Sequence, residues 1–491
     1  MTTTTPTEQA VDVNGKNYSR AFLVVTMIVG AFVAVLNQTI LATALPKIMK
    51  DLDITAATGQ WLTTAFLLTN GIMIPITALL IEKISSKVLF LTAMIVFTIG
   101  TVIAAISGSF STLLIGRIIQ AAGAGIMMPL LQTIFLLIFP RERRGAIMGL
   151  MGLVIAFAPA IGPTLSGWVV DSYDWHVLFI ILIPIAVIDI ILAIFGMKKV
   201  VILKNTKIDY FSIVLSTLGF GSLLYGFSAA GNDGWSDPGV VTMLILGAVF
   251  TFLFVWRQLR IDNPILEMRV FRYPIFTLSV ILGSIVMMAM IGAEIVLPLY
   301  TQNILGESAF HSGLLLLPGA LVMGIMSPVT GIIFDKIGAR WLTIIGLIIL
   351  TGGTIPFIFL KADTSIWYVV IFYAVRFLGI AMVMMPVSTA GMNALPEKLI
   401  NHGTAVNNTI RQIAGSIGTA ILITVLTNVT KNNMPSKMWM AGHPTQAAQK
   451  ALDANLGGME AAFMVAVIFS VLGLILSFFI QDRKKEAIIK K

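Results

Sequence analysis

The stretch PITALLIEKISSK, residues 75–87, returns in altered form as PVTGIIFDKIGAR, residues 328–340. Both copies begin with Pro-x-Thr, continue with small and aliphatic residues, and end in an acid, Lys-Ile, two small residues and a base. They begin 253 residues apart, which indicates that the chain consists of two related halves. In each copy a charged cluster interrupts strongly apolar sequence, as expected at the end of a membrane-spanning helix.

The composition requires a membrane environment. Of 491 residues, 57% are hydrophobic and 11% are charged, and the mean hydropathy is +0.95. A soluble globular chain carries about 25% charged residues, so this chain has too few to cover a surface that faces water. We predict an all-α polytopic membrane protein with fourteen transmembrane helices, called spans 1–14, at about 20–45, 60–81, 88–107, 112–139, 146–170, 177–196, 210–229, 239–256, 275–299, 311–334, 341–360, 367–394, 404–428 and 460–480.

Basic residues are distributed unequally between the two sides of these spans. With the N-terminus inside, the inner segments hold twenty-three Lys and Arg residues and the outer segments hold six. Cytoplasmic loops of membrane proteins carry such an excess, so both termini are predicted to be cytoplasmic in a multi-pass protein of the plasma membrane. The topology also accounts for the net charge of +9 without a nucleic-acid partner. The lipid bilayer is the expected surrounding, and a monomer is the expected functional unit.

The repeat defines the predicted domains. ALP at 44–46 corresponds to VLP at 296–298, and IMMP ending at Pro129 corresponds to VMMP ending at Pro386. Spans 1–6 therefore match spans 9–14, and spans 7 and 8 are an insertion. Repeated halves are typical of secondary transporters, which bind substrate between the halves near the middle of the bilayer. The predicted domains are a disordered cytoplasmic tail (1–18), an N-terminal six-helix bundle (19–200), two inserted helices with linkers (201–262), a C-terminal six-helix bundle (263–481) and a basic cytoplasmic tail (482–491).

The sequence argues against several other classes of protein. It has no cysteine, and its four histidines form no metal-ligand pattern. No catalytic cluster is recognisable, so we predict neither an enzyme nor a bound cofactor. The phosphate-binding loop G-x-x-x-x-G-K-[ST] of ATP-driven pumps is absent. Composition alone does not exclude a channel or a structural membrane protein, but two repeated halves with charged loops favour a transporter that works by alternating access.

Several motifs resemble the major facilitator superfamily, and more narrowly its fourteen-helix drug:proton antiporters of the EmrB/QacA type. The loop signature G-x-L-A-D-R-x-G-R-K of that family is degenerate at 78–87 and better kept at 331–340. The signature R-x-x-Q-G appears as Arg117, Gln120 and Ala121, and the antiporter motif appears as APAIGPTLSGW, residues 158–168. The resemblance covers most of the chain and implies the major facilitator fold, with proton-driven export of amphiphilic compounds.

One departure from the family concerns the first span. The family motif reads L-D-x-T-I, whereas this chain has Leu36, Asn37, Gln38, Thr39 and Ile40. Asparagine does not titrate, so a proton or cation role of that aspartate does not transfer to Asn37.

The two loop copies predict a cytoplasmic gate. An acid at a helix end is stabilised by nearby bases and by the positive end of the following helix, by about 0.3–2 kcal/mol. Breaking such contacts as the halves rock would make them a latch; the alternative is a loop with solvated charges. For the antiporter motif the resemblance implies a helix that seals or bends where the halves meet, with ordinary close packing as the alternative. The gate residues are Gly331, Asp335, Lys336, Gly338, Arg340, Glu82, Lys83 and Lys87, and the motif residues are Gly152, Pro159, Gly162, Pro163 and Gly167.

Five ionisable residues lie inside the spans, where charge is costly and therefore indicates a pathway or a paired site. Glu294 is predicted to be the main proton carrier, and the alternative is a structural carboxylate paired with an arginine or the backbone. Asp189 is a second candidate, or a paired group. Arg117 resembles the motif arginine that assists proton coupling, or it braces span 4. Arg376 and Arg411 either meet an anionic or zwitterionic cargo or are satisfied by carbonyls and amides.

The substrate cavity is expected to mix methionine, aromatic and amide side chains, since methionine adapts to varied ligands. Its predicted lining is Asn37, Gln38, Trp61, Gln120, Met128, Gln132, Met288, Tyr300, Arg376 and Arg411. The expected function is proton-coupled antiport of amphiphilic or hydrophobic compounds, which is multidrug efflux. A dedicated exporter of one anionic amphiphile, such as a fatty acid or lipid-like metabolite, is the alternative. A proton-coupled nutrient symporter is the third possibility.

Overall fold

The computed structural model of the chain describes residues 10–203, 208–436, 439–440 and 443–480. In this part of the chain, fourteen helices are long and apolar enough to cross a membrane, which confirms the predicted number. The N-terminal half comprises α1 (Arg20–Thr39), α2 (Leu41–Asp51), α3 (Ala56–Lys83), α4 (Ser86–Ala105), α5 (Phe110–Ile138), α6 (Arg144–Ser172) and α7 (Val177–Gly196). The insertion comprises α8 (Tyr210–Asp233) and α9 (Pro238–Gln258).

The C-terminal half comprises α10 (Pro274–Asn303), α11 (Ala309–Ile337), α12 (Arg340–Thr354), α13 (Ile366–Asn393), α14 (Ile400–Asn433) and α15 (Pro444–Ser477). Short 3-10 turns lie at Arg141–Arg143, Met268–Arg272, Ile355–Phe359 and Glu397–Leu399. We call the end of the bundle at which α1 begins and α3 finishes the basic end, because the sequence places its excess of Lys and Arg there.

The first predicted span is two helices in the structure. α1 ends at Thr39, and α2 begins at Leu41. The Thr39 hydroxyl donates to the carbonyl of Leu36 at 3.0 Å and lies 3.5 Å from that of Ala158 on α6. Such side-chain bonds to nearby carbonyls compete with regular helix geometry, which accounts for the interruption beside the Leu36–Ile40 motif.

Two further regions differ from the prediction. α14 and α15 run longer than spans 13 and 14, and α15 begins at Pro444 rather than near 460. Residues 445–456 are rich in Ala, Gln, Lys and Leu, which favour helix even in water. Residues 10–18 were predicted to be disordered, but Ala10–Val11 pairs with Asn17–Tyr18 in an antiparallel hairpin. Residues 1–9 and the predicted basic tail at 482–491 lie outside the described residues.

The helices pack as two bundles with the insertion at one seam. In the N-terminal bundle α4 contacts α5 and α7, and α1 contacts α5, α6 and α7; in the C-terminal bundle α12 contacts α13 and α15, and α10 contacts α13, α14 and α15. Between the bundles, α6 packs along α11, and α3 and α5 pack against α14. α8 contacts both α3 and α14, whereas most of α9 is exposed on the outside of the bundle.

The same local construction starts one helix in each half. Pro140 and a single 3-10 turn precede α6, and Pro396 and a single 3-10 turn precede α14, 256 residues later. This register places Gly145 opposite Asn401 and Ile155 opposite Arg411 in the two halves.

Candidate functional site

A cavity of about 250 Å³ lies between the two bundles. Helices α1, α3, α5 and α6 of one bundle and α10, α13 and α14 of the other contribute to its wall. Six methionines line it: Met128, Met148, Met151, Met287, Met290 and Met385. Five amide side chains join them, from Gln38, Asn70, Gln132, Asn408 and Gln412. The wall is therefore largely soft and apolar, with several groups that can both donate and accept hydrogen bonds.

The cavity wall also carries one acid and one base, Glu294 of α10 and Arg411 of α14. Glu294 lines the cavity, and its role as the main proton carrier stays a prediction. Arg376 and Tyr373 of α13 lie near enough to the Glu294 carboxylate to interact with it electrostatically. Among the described residues, Arg411 makes one weak contact, from Nη2 to the sulfur of Met384 at 3.6 Å, and its buried Nε has no hydrogen-bond partner.

The structure divides the predicted lining residues into two groups. Gln38, Met128, Gln132 and Arg411 line the cavity. Six others lie elsewhere, because helix rotation turns their side chains into helix interfaces or toward the bundle surface: Asn37, Gln120, Trp61, Met288, Tyr300 and Arg376.

Two of these six take part in aromatic or polar contacts at the end opposite the basic end. The Trp61 ring stacks on Tyr225 of α8, with ring centroids 5.7 Å apart. The Tyr300 hydroxyl donates to the carbonyl of Lys361 at 2.6 Å and so supports the loop before α13. Met288 instead packs against Gly418 of α14 inside the C-terminal bundle.

Arg117, Gln120 and Asn37 form a fully buried network inside the N-terminal bundle. Arg117 Nη1 donates to the Asn37 carbonyl at 3.3 Å and to Gln120 Oε1 at 3.1 Å, and the guanidinium lies over the ring of Phe66 at 4.1 Å. Gln120 Nε2 donates to Thr101 Oγ1 at 2.9 Å and lies 3.4 Å from Asn37 Oδ1. Asn37 lies in the last turn of α1, where carbonyls lack partners within the helix. By binding the Asn37 carbonyl, Arg117 of α5 joins the end of α1 to α5 in this conformation.

Arg376 has a similar environment in the other half. Its Nε donates to Thr354 Oγ1 at 3.1 Å, and its Nη groups donate to the carbonyls of Ala289 and Met290 on α10. Thr354 and Thr101 are 253 residues apart, at the same place in the two halves. Backbone carbonyls and a threonine hydroxyl thus satisfy Arg376. Arg411, by contrast, lines the cavity.

Asp189 lies away from the cavity, buried among α7, α1 and α4. A Cβ added to Gly30 would lie 2.7 Å from Asp189 Oδ2, so Gly30 makes room for this carboxyl group. Among the described residues, neither carboxylate oxygen of Asp189 has a hydrogen-bond partner. An ionised carboxylate is very costly in such surroundings.

At the basic end Asp335 joins the two bundles. Its Oδ1 accepts from the backbone N–H of Gly145 at 2.8 Å, and its Oδ2 accepts from that of Ala146 at 2.9 Å. These amides form the first turn of α6, where helix amides are free and the dipole favours an anion. The prediction places the acid against nearby bases and the helix that follows it; the structure also sets it against a helix of the other bundle.

Glycines allow the two bundles to meet closely beside Asp335. A Cβ at Gly331 would collide with the carbonyl of Gly145, and a Cβ at Gly145 would collide with that of Gly331. Farther along α6, Gly149 and Gly152 face Ser327 of α11. Gly338 has φ +89°, a left-handed backbone conformation that glycine adopts without strain, at the turn into α12.

Glu82 occupies the matching place in the first half, where it contacts a side chain of the other bundle. Glu82 Oε1 lies 3.1 Å from His402 Nε2, and both residues are buried. His402 Nδ1 accepts from the backbone N–H of Glu267 at 3.3 Å, which leaves Nε2 as the donor to Glu82 in a neutral imidazole. Beside them, Asn401 Nδ2 donates to the carbonyl of Ala78 at 2.8 Å.

The remaining gate residues lie around these contacts. Lys87 donates to the carbonyl of Ile194 at the end of α7, so it stays within its own bundle. Lys83 is half-buried, and Lys336 and Arg340 are exposed at the basic end.

The antiporter-motif residues of α6 contact both bundles. Pro159 lines the cavity, Gly162 faces Thr39 of α1, and Pro163 and Gly167 lie beside Gly313 and Phe310 of α11, respectively. α6 thus follows the seam with α11 over most of its length. It contacts Ser327 closely at Gly152 and reaches Phe310 at Gly167, toward the end opposite the basic end.

Sequence reasoning did not predict other contacts that join the halves. Gln132 Nε2 donates to Ser388 Oγ at 3.1 Å, and Asn408 Nδ2 donates to Gln132 Oε1 at 2.8 Å. Arg144 Nη1 donates to Asn393 Oδ1 at 3.0 Å at the basic end. The polar run 401–412 within an otherwise apolar span was the available signal for the contact of Asn408.

Comparison with known proteins agrees with this architecture. The Major Facilitator Superfamily model matches residues 27–419. The uncharacterized MFS-type transporter YcnB of Bacillus subtilis is 53% identical over 96% of this chain and 97% of its own length. The lincomycin resistance protein LmrB of Bacillus subtilis is 42% identical over 94% of this chain and 96% of its own length.

A solved structure shows the same fold at low sequence similarity. The crystal structure of the human organic anion transporter MFSD10 (TETRAN) has a TM-score of 0.64 and 13% identity, over 93% of this chain and 99% of that one. Because the family model matches most of the residues and relatives match nearly the whole length, this chain belongs to the Major Facilitator Superfamily.

Proposed function

We propose that this protein is a proton-coupled antiporter that exports amphiphilic compounds from the cytoplasm by alternating access. The observation that carries the proposal is Glu294, the acid of a methionine-rich cavity between two repeated bundles. A carboxylate there can hold either a proton or the cationic part of a substrate. Such competition is what couples the exit of a substrate to the entry of a proton.

The contacts at the basic end support the alternating part of the mechanism. Asp335 and Glu82 both join the bundles at this end, which the sequence assigns to the cytoplasm. Their release would open the cavity toward the cytoplasm, and their formation closes it there. Asp335 binds the N-terminus of α6, whose favourable interaction with an anion is of the order of 0.3–2 kcal/mol. A contact of this size can be broken and remade within a transport cycle.

Amphiphilic substrates are supported by the cavity wall and by the relatives. Six methionine side chains can repack around ligands of different shape. Relatives with 40–42% identity are named lincomycin resistance proteins. Lincomycin is therefore the first compound to test for export.

The test uses purified protein in liposomes that contain a pH-sensitive dye. A lincomycin gradient is expected to drive proton flux in the opposite direction, and Glu294→Gln is expected to abolish that flux. Glu460→Gln is the matched control, because Glu460 lines a separate pocket beside Leu360 and Gln449 at the other end of the bundle. If Glu294→Gln exchanged substrate for protons at the normal stoichiometry, Glu294 would not be the proton carrier.

A second candidate function is the dedicated export of one anionic amphiphile, and Arg411 is the observation that favours it. The same liposomes distinguish the two candidates. Proton flux driven by lincomycin and by cationic dyes supports multidrug export, whereas flux driven by fatty acids alone supports the dedicated exporter.

A further inference from the structure

Arg411 differs from the other two arginines inside the spans. Arg117 and Arg376 direct their guanidinium groups at backbone carbonyls and at Gln120 or Thr354. Among the described residues Arg117 Nη2 has no partner either, but it lies inside the N-terminal bundle and not in the cavity wall. Arg411 lies in the cavity wall, where its Nε has no hydrogen-bond partner among the described residues and its Nη2 contacts only the sulfur of Met384. A guanidinium carries five donors and a fixed charge, and the described protein supplies no acceptor for the buried Nε of this half-buried side chain.

The internal repeat indicates that the charge of Arg411 is not required for packing. Ile155 is its counterpart, 256 residues earlier on α6, and both residues line the same cavity. The N-terminal half builds its side of the wall with an aliphatic side chain at this position. The charge in the C-terminal half is therefore free to serve recognition.

Glu294 supplies the opposite charge on the same wall. It projects from α10 and Arg411 from α14, and the two side chains do not form an ion pair in the described structure. Arg376 is near Glu294, but it donates to Thr354 and to the carbonyls of Ala289 and Met290. The cavity thus presents a separated negative and positive charge, surrounded by methionine.

We propose that Glu294 and Arg411 form a site for zwitterionic amphiphiles, with the ligand's ammonium group at Glu294 and its carboxylate at Arg411. The inference rests on the proposed antiport function and specifies its substrate class. A planar carboxylate matches the forked donors of guanidinium. The ammonium group competes with a proton for Glu294, which retains the exchange. A volume of about 250 Å³ lies just below the range of about 300–1,000 Å³ typical of ligand pockets, which favours a compact ligand.

A set of ten-carbon ligands tests the charge requirement. Aminodecanoates with the amine on carbon 2, 4 or 6 vary the charge separation, while decanoate and decylamine each retain one charge. Binding is measured by titration calorimetry on the full-length protein in lipid nanodiscs at pH 7. At least one aminodecanoate is expected to bind tenfold or more tightly than both singly charged ligands. Equal binding of all five ligands would overturn the inference.

Two substitutions assign the two charges. Arg411→Met is expected to reduce binding of the best aminodecanoate at least tenfold and to leave decylamine binding within twofold. Glu294→Gln is expected to weaken the aminodecanoate similarly and to leave decanoate within twofold. Arg411→Lys is expected to keep part of the affinity, and Lys361→Gln, which removes a charge outside the cavity, is expected to change nothing. Unaltered aminodecanoate binding by a folded Arg411→Met protein would overturn the inference.

The proton-flux assay separates this inference from the proposed function. If lincomycin drives proton flux that needs Glu294 while no aminodecanoate is preferred, the antiport proposal stands and the zwitterion site fails. If no substrate drives flux through a folded protein, the antiport proposal fails, and the inference that rests on it fails as well. A thermal unfolding curve for each variant identifies any protein that has not folded.

Discussion

Glu82 contacts the imidazole of His402 at 3.1 Å, at the place in the N-terminal half where the C-terminal half sets Asp335 against backbone amides of α6. The two contacts are unequal in chemistry. A carboxylate at a helix N-terminus benefits from the helix dipole and two free amides. Glutamine in place of Glu82 can still accept from the Nε2–H of a neutral histidine. We therefore expect Asp335→Asn to weaken closure of the basic end more than Glu82→Gln does.

Spin-label distances measure this difference. The chain has no cysteine, so Arg143→Cys and Ile337→Cys provide the only labelling sites, one in each bundle at the basic end. Asp335→Asn should shift the distance distribution toward longer values, and Glu82→Gln should stay closer to the unsubstituted protein. The reverse order would show that the histidine contact is the stronger of the two.

A second prediction concerns the glycine contact between α6 and α11. Gly331→Ala places a methyl group against the carbonyl of Gly145, so the helices must separate at the basic end. We expect a cost of about 1–3 kcal/mol, as for other overpacked interiors, and a longer distance between the same spin labels. Gly352→Ala is the matched control, since no neighbouring heavy atom lies within 4 Å of an added Cβ on α12. A closed basic end in both variants would contradict the prediction.

A third prediction concerns pH and the inserted helices. Asp209 accepts from Arg257 Nε at 2.9 Å and Nη2 at 3.1 Å, and from Ser212, which ties the start of α8 to the end of α9. Burial by itself would raise the pKa of Asp209, but the hydrogen bonds from Arg257 and Ser212 and the Arg257 charge lower it below its ordinary value. The contact therefore stabilises the fold above about pH 4 and is lost as the pH falls through the lowered value.

Thermal unfolding checks this dependence. Asp209→Asn should unfold at a lower temperature than the unsubstituted protein at pH 7, and the difference should shrink as the pH falls below about 4. Asp262→Asn, an equal change of charge at an exposed loop position on the same end, should show no such pattern. A difference that persisted unchanged to pH 3 would show that ionisation of Asp209 is not its origin.

A fourth prediction concerns Asn37, which stands where the family motif has aspartate. Asn37 Oδ1 lies 3.4 Å from Gln120 Nε2, and Arg117 binds the Asn37 carbonyl in the same buried network. Asn37→Leu removes an acceptor and should cost about 1–3 kcal/mol, the penalty for an unsatisfied buried polar group. Asn37→Asp keeps an acceptor beside Arg117 and should unfold at a higher temperature than Asn37→Leu. Equal loss of stability in both variants would show that this acceptor does not matter.

The sequence was sufficient for those features that depend on one helix at a time. Apolar length predicted fourteen spans, and the repeat at 75–87 and 328–340 located Glu82 and Asp335 at the same end of the bundle. The position of Glu294 within its span was enough to suggest a proton carrier but did not place it in the predicted cavity lining, and the structure sets it in the cavity wall.

The partners of these groups could not be predicted, because they depend on how the helices are rotated and docked. Arg376 and Arg411 look alike in sequence, yet one points at carbonyls of α10 and the other lines the cavity. His402 contacts Glu82 across 320 residues of chain, and no local pattern pairs them. Asn37 lies next to Gln38, but only Gln38 faces the cavity, because adjacent residues point in different directions on a helix.

The position of α8 restricts how the bundles can separate. Leu224 of α8 fills the space beside Gly71 of α3, and Trp235, just beyond α8, donates to Thr424 of α14 at 2.8 Å. One inserted helix therefore contacts both bundles along the same crevice. If the two bundles separate along this crevice, α8 must either move with one bundle or slide along the other. Under the alternating access proposed above, the insertion would therefore take part in the motion of the bundles rather than remain a passive addition to the fold.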